Sequence, residues 1–108
     1  MIYYLATPYS SKHAMDRELR YQQACVIAGT LMAEGKTVYS PIAHSHNIAA
    51  VSDLPTSWDF WGAQCIDMLR ACSVLIVAKM PGWEQSVGVR AEIALAGELG
   101  IPIEYLEV

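Results

Sequence analysis

The sequence predicts an α/β fold built on an open, doubly wound parallel sheet of four to five strands. Two observations predict it. Short apolar runs at 2–6, 37–40, 74–78 and 101–106 alternate with longer stretches of helical periodicity. The run Val74-Leu75-Ile76-Val77-Ala78 is apolar at every position, as expected of a strand covered on both faces. Helices joining successive strands then imply right-handed crossovers and parallel strands.

Each element carries its own signal. The first strand stops at Thr7-Pro8, because proline fixes φ and supplies no donor. From Ala14 to Glu34 the apolar residues Tyr21, Ala24, Ile27, Ala28, Leu31 and Met32 recur at helical spacing, and Gly35 closes that helix. Thr37-Val38-Tyr39-Ser40 reads as the second strand, stopped by Pro41. The stretch from Ile42 to Pro55 reads as a loop with a short helix from Asn47 to Val51. Thr56 or Ser57 caps a helix from Trp58 to Ala71, whose apolar stripe is Trp61, Cys65, Met68, Leu69 and Cys72. The last helix runs from Val87 to Leu99, ends at Gly100, and leads into the final strand. No repeat, low-complexity segment or linker divides the chain, so residues 1–108 are expected to form one Rossmann- or flavodoxin-like domain.

The composition narrows the partners. Hydrophobic residues make up 54% of the 108 residues and charged residues 17%, which suits a real core and some surface buried between subunits. A net charge of −4 argues against binding a nucleic-acid polymer, which calls for a basic face, yet leaves room for one small anion. Cys25, Cys65 and Cys72 show no CxxC spacing, the pattern of reduced thiols in a cytoplasmic protein. With His13, His44 and His46 they match no familiar zinc spacing, so neither metal nor cofactor is expected. The N-terminus lacks a basic n-region and long h-region, and no run approaches the ~20 apolar residues of a membrane span. A membrane partner is therefore not expected.

The candidate chemistry gathers at strand-to-helix turns, where α/β sheets bind ligands. The loop Gly82–Ser86 leads from the third strand into the last helix, whose N-terminus offers free N–H groups and a positive dipole end. Glu92 falls on the flank of that helix's apolar stripe, Val89-Ile93-Ala96. A carboxylate so placed is partly desolvated while the helix end favours its ionised form, which suits a nucleophile or an oxocarbenium stabiliser. A solvated glutamate, or one paired with Arg90, explains the position equally well. Ser86 is a natural N-cap, Gly88 lets a ligand approach the backbone, and Trp83 is the loop's aromatic candidate for substrate contact. At the end of the first strand, Tyr4, Tyr9, Ser10 and Ser11 offer hydroxyls to a sugar or phosphate; Ser10 and Ser11 also suit a simple turn and cap. Arg17 and Arg20 add charge for a phosphate or line a solvated face. After the second strand, His44 or His46 can bond a sugar hydroxyl or base. Trp58 and Trp61 can stack on a base, or pack into the core.

Three segments together resemble the nucleoside 2-deoxyribosyltransferase-like superfamily, which includes the 2′-deoxynucleoside 5′-phosphate N-hydrolases. Tyr3-Tyr4-Leu5-Ala6-Thr7-Pro8-Tyr9 is similar to its opening Y-L-A-G-P-Y strand, with Thr7 where Gly is usual. Gly35–Pro41 resembles its G-x-x-V-x-x-P strand. Ser86–Ile93 with Ala96 resembles its S/D-x-G-x-x-x-E-[IL]-x-x-A signature, and the preceding Pro81-Gly82-Trp83 is most like the uncharacterised DUF1937 branch. The resemblance implies Glu92 as the catalytic glutamate, Tyr4 beside it, Ser86 at a phosphate or sugar contact and His44 lining the pocket. It also implies a partner aspartate about two turns before the central strand. Cys65 stands there in an ungapped match. Asp67 is the nearest carboxylate, Asp59 is the alternative, or the acid is missing.

The activity implied is hydrolysis of the N-glycosidic bond of a nucleoside or nucleotide, with a 5′-monophosphate favoured because Ser86 resembles the hydrolase branch. Deoxyribosyl transfer and a non-catalytic nucleotide-binding module are the alternatives. A homo-dimer or homo-tetramer is the implied assembly.

Overall fold

A computed structural model describes residues 1–108. The elements are β1 (Tyr3–Ala6), α1 (Ala14–Ala33), β2 (Val38–Tyr39), α2 (Pro41–Ser52), α3 (Trp58–Arg70), β3 (Val74–Ala78), α4 (Val87–Leu99) and β4 (Ile103–Leu106). The four strands form one open sheet in the order β2-β1-β3-β4, every pair parallel.

Side-chain alternation divides the core into two layers. Tyr4, Ala6, Leu75 and Val77 face the helices α3 and α4, meeting Cys65, Leu69, Val89 and Ala96. Leu5, Val74, Ile76 and Ala78 face the opposite way, onto Ala28 and Leu31 of α1 and onto Met80. Every residue of β3 is buried, which is why that run lacks any polar alternation. Gly35 (φ 96°) and Gly100 (φ 71°) terminate α1 and α4 in the left-handed region, where a side chain would be strained.

The main departure from the sequence reading lies between Pro41 and Ser52. This stretch is one continuous helix, not a loop with a short helix over Asn47–Val51. Ser40 Oγ accepts the Ala43 N–H at 3.1 Å and caps the helix, with Pro41 in its first turn. The proline that ends β2 thus starts α2, a position where its missing N–H costs nothing. Asp53, at φ 53°, closes the helix.

Chain order carries β1 outward to β2 and then back across β1 to β3. The two crossovers leave in opposite directions from the β1–β3 junction, so a crevice opens beyond the carboxyl ends of these strands.

Candidate functional site

A cleft of about 600 Å³, counting its open mouth, fills that crevice. Thr7, Tyr9 and Ser10 line it from the end of β1, and Ser86, Gly88 and Glu92 from the start of α4. Helix α2 adds Ile42, Ser45, His46 and Ala49, while α3 adds Trp58, Trp61 and Cys65. Glu92 is the only carboxylate among the lining residues, and none is Lys or Arg.

Glu92 is 5% exposed, and its Oε2 accepts a hydrogen bond from the Tyr4 hydroxyl. Burial drives the carboxyl up from its ordinary 4.5 to about 8, and the Tyr4 bond only partly opposes it. Burial, with Glu92 alongside, likewise pushes the Tyr4 phenol far above its ordinary range. Burial raises the Cys65 thiol to about 11 and the Tyr39 phenol to about 12. Around Glu92, Tyr4, Tyr39 and Cys65 are thus all neutral at physiological pH.

The family of the chain is decided by a match over nearly its whole length. The family described as "Domain of unknown function (DUF1937)" matches residues 1–107. The chain belongs to this family. No curated protein matches it.

Within this DUF1937 domain the predicted residues separate into those the fold assembles and those it does not. Glu92 and Tyr4 meet in the core, and Ser86, Gly88 and Ser10 reach the cleft. Ser86 also accepts the Val89 N–H at 3.2 Å, so capping is part of its role. Gly88 is occupied differently from the expected ligand approach. A Cβ there would lie 3.1 Å from the Trp58 ring, and one on Gly62 only 3.0 Å from it. The two glycines make room for this indole, which forms part of the cleft wall.

Four predicted residues lie elsewhere. Asp67 is exposed on α3, as is Asp59 in that helix's first turn, and neither lines the cleft. Residues three and four apart share a helix face, so the face that carries Trp58, Trp61 and Cys65 inward turns Asp67 to solvent. Trp83 packs on the core with its ring 5.8 Å from that of Tyr105 on β4, away from the cleft. His44 is exposed beside Tyr39. Reading 42–47 as a loop hid the reason: on helix α2, Ile42, Ser45, His46 and Ala49 share the cleft face, and His44 does not.

His46 is the cleft's histidine. Its Nδ1 lies 2.8 Å from the Tyr9 hydroxyl and its Nε2 2.7 Å from Glu18 Oε2, while its ring stacks on Tyr21 at 4.2 Å. With Nε2–H donating to Glu18, Nδ1 accepts from Tyr9 in the neutral ring and donates to it in the cation. Arg17 and Arg20 brace the loop after β1, donating to the carbonyls of Ser11 and Ser10. Neither reaches the cleft.

Thr7 was read from sequence only as part of a turn, yet it lies buried on the cleft wall. Its position immediately after a buried strand, at the switch point, was the available signal. No group of His, Cys, Asp and Glu side chains is placed to hold a metal ion, and no helix is long and apolar enough to cross a membrane.

Proposed function

We propose that this protein cleaves the N-glycosidic bond of a nucleoside or nucleoside 5′-monophosphate, with Glu92 as the reacting carboxylate. One observation carries the reading: a buried glutamate is the sole carboxylate in a cleft at the sheet's switch point. An anion starved of water gains most from a cation beside it, and the sugar gains cationic character at C1′ as the bond to the base breaks. The resemblance to the nucleoside 2-deoxyribosyltransferase-like superfamily supports the same reading.

In the ionised state a Glu92 oxygen bonds to C1′ while the C1′–N bond breaks. The electron pair leaves with the base. His46, held between Tyr9 and Glu18 through both ring nitrogens, supplies a proton to the departing base by way of the Tyr9 hydroxyl, which belongs to the cleft lining. Water then attacks C1′, returning a proton through Tyr9 to His46 and releasing the sugar and the Glu92 carboxylate; a second base in place of water makes the reaction a transfer. Tyr4 holds Glu92 in orientation. The indoles of Trp58 and Trp61 offer faces for the base. Because the lining contains no Lys or Arg, a 5′-phosphate would rest on hydroxyls and the amide end of α4 alone. That weighs toward the unphosphorylated nucleoside.

The absence of Asp67 and Asp59 from the cleft favours a second reading, a nucleoside-binding module without turnover. A panel of nucleosides and 5′-monophosphates incubated with the wild type and Glu92→Ala, with free base followed by chromatography, separates the two. The enzyme reading expects base release that falls at least about a hundredfold in the variant. Ligand-induced thermal stabilisation without base release would leave only the binding module.

A homo-oligomer belongs to the same proposal. The exposed Met15, Leu19 and Val26 fall along one side of α1 at helical spacing. Light scattering of the purified protein measures the assembly directly.

A further inference from the structure

Thr7 sits where the chain leaves β1, 5% exposed, and its Oγ1 is buried with no hydrogen-bond partner. It is the one buried side-chain polar atom in the molecule left in that condition. Burying a hydroxyl unpaired costs free energy, and native proteins seldom tolerate it without a use. The same residue lines the cleft together with Glu92, so the unpaired hydroxyl belongs to a residue of the cleft wall.

We infer that Thr7 Oγ1 is a ligand-binding group that takes a hydrogen bond with a sugar hydroxyl of the bound nucleoside. This rests on the nucleoside reading of the cleft. A threonine hydroxyl both donates and accepts, which matches another hydroxyl in either direction. The cleft divides by element: α3 contributes the indoles of Trp58 and Trp61, while the end of β1 and the start of α4 contribute Thr7, Ser10, Ser86 and Glu92. A base against α3 leaves the sugar against Thr7 and the carboxyl. Without a cation in the lining, hydroxyls are the groups left to recognise the sugar.

The test compares wild type, Thr7→Val and Thr7→Ser by calorimetric titration with carbocyclic nucleosides of the common bases and with the free bases. Carbocyclic sugars lack the ring oxygen and stay uncleaved, so binding is read apart from turnover. Thr7→Val is expected to bind the nucleosides about tenfold or more weakly, with affinity for the bases unchanged. Thr7→Ser should stay within about threefold of wild type. The ligand-free Thr7→Val protein should melt no lower than wild type, because an unpaired hydroxyl has been replaced by a methyl.

Unchanged nucleoside affinity in Thr7→Val, equal losses for nucleosides and bases, or a lowered melting temperature each overturn the inference while the catalytic reading stands. Binding with the expected Thr7 dependence but no base release from true nucleosides removes the catalytic reading and leaves Thr7 in place. A wild type that binds no nucleoside overturns both.

Discussion

Tyr4 on β1 donates its hydroxyl to Glu92 on α4, joining residues 88 positions apart inside the core. The bond ties the edge of the catalytic cleft proposed above to the middle of the sheet. It also makes the ionisation of Glu92 a property of the whole fold, because a group this deeply buried titrates differently once the chain unfolds.

The first prediction concerns stability against pH. Glu92 loses its proton near 4.5 in the unfolded chain and near 8 in the folded one. Between these values the folded state holds more protons than the unfolded state. Stability therefore falls as pH rises from about 4.5 to about 8, and then levels off. Below 4.5 both states are protonated and the penalty vanishes. Its full size is on the order of a few kcal/mol. Urea unfolding of the wild type and Glu92→Gln from pH 5 to 9 measures it: the difference between the two should grow across this window in favour of the glutamine variant. Parallel profiles would contradict it. The neighbouring Tyr4, Tyr39 and Cys65 titrate above the window and do not obscure the difference.

The second prediction follows from the direction of the Tyr4 bond. It stabilises the ionised carboxylate and pulls Glu92 downward. In the wild type, kcat/KM should rise with pH as Glu92 ionises, with that rising limb near 8, since the parameter reports the free enzyme. Tyr4→Phe removes the donor, so the rising limb should move to higher pH, with a stability loss of about 1 kcal/mol. A limb that stays in place would show that Tyr4 does not govern Glu92, and the absence of any rising limb near pH 8 would make Glu92 an acid and not a nucleophile.

The third prediction sets two glycines against each other. Gly62 on α3 faces the Trp58 ring, and an added Cβ would meet three of its atoms between 3.0 and 3.3 Å. Gly29 on α1 has nothing within 4 Å of the same position. Gly62→Ala should cost about 1–3 kcal/mol through overpacking and change tryptophan fluorescence. Gly29→Ala should instead gain roughly 0.5–1 kcal/mol, because alanine suits a helix interior better. Thermal unfolding of both variants decides the matter, and the same sign for both would contradict the packing described here.

The contrast between α2 and β3 shows what the sequence makes legible. The all-apolar run Val74–Ala78 and the glycines after α1 and α4 act through local chemistry, so their elements are readable one residue at a time. Glu92 is readable too, because its flank position on an amphipathic helix follows from periodicity alone. Helix α2 was hidden since Ser40-Pro41 both ends a strand and caps a helix, and periodicity cannot choose between these. The residues alone left His44 and His46 both open, and the resemblance to the superfamily pointed to His44. Trp83 needed the path of the loop after β3, which depends on tertiary packing, whereas helical periodicity already turns Asp67 away from the stripe Trp61-Cys65-Met68. Thr7 became visible only when its hydroxyl could be seen to lack a partner.

The last prediction separates the two histidines. His46 faces the cleft, bonded through both ring nitrogens to Tyr9 and Glu18 and stacked on Tyr21. It therefore links α2 to α1 as well as offering a proton to a departing base. His44, two residues away on the same helix, is exposed and touches Ser45 and the Tyr39 ring. His46→Ala should lower kcat for base release by about a hundredfold, within the range for a lost general acid. It should also cost about 1–2 kcal/mol of stability, because both of its side-chain bonds, to Tyr9 and to Glu18, are lost from a half-buried site. His44→Ala should change neither kcat nor stability by more than about twofold or 0.5 kcal/mol, as befits a surface position. Steady-state kinetics with chromatographic detection of the base, alongside urea unfolding, provides both readouts. Equal losses of kcat in the two variants would mean that the cleft face of α2 has been assigned wrongly. A stability loss in His46→Ala without any loss of kcat would confine His46 to bracing the two helices, and the leaving base would then take its proton from water.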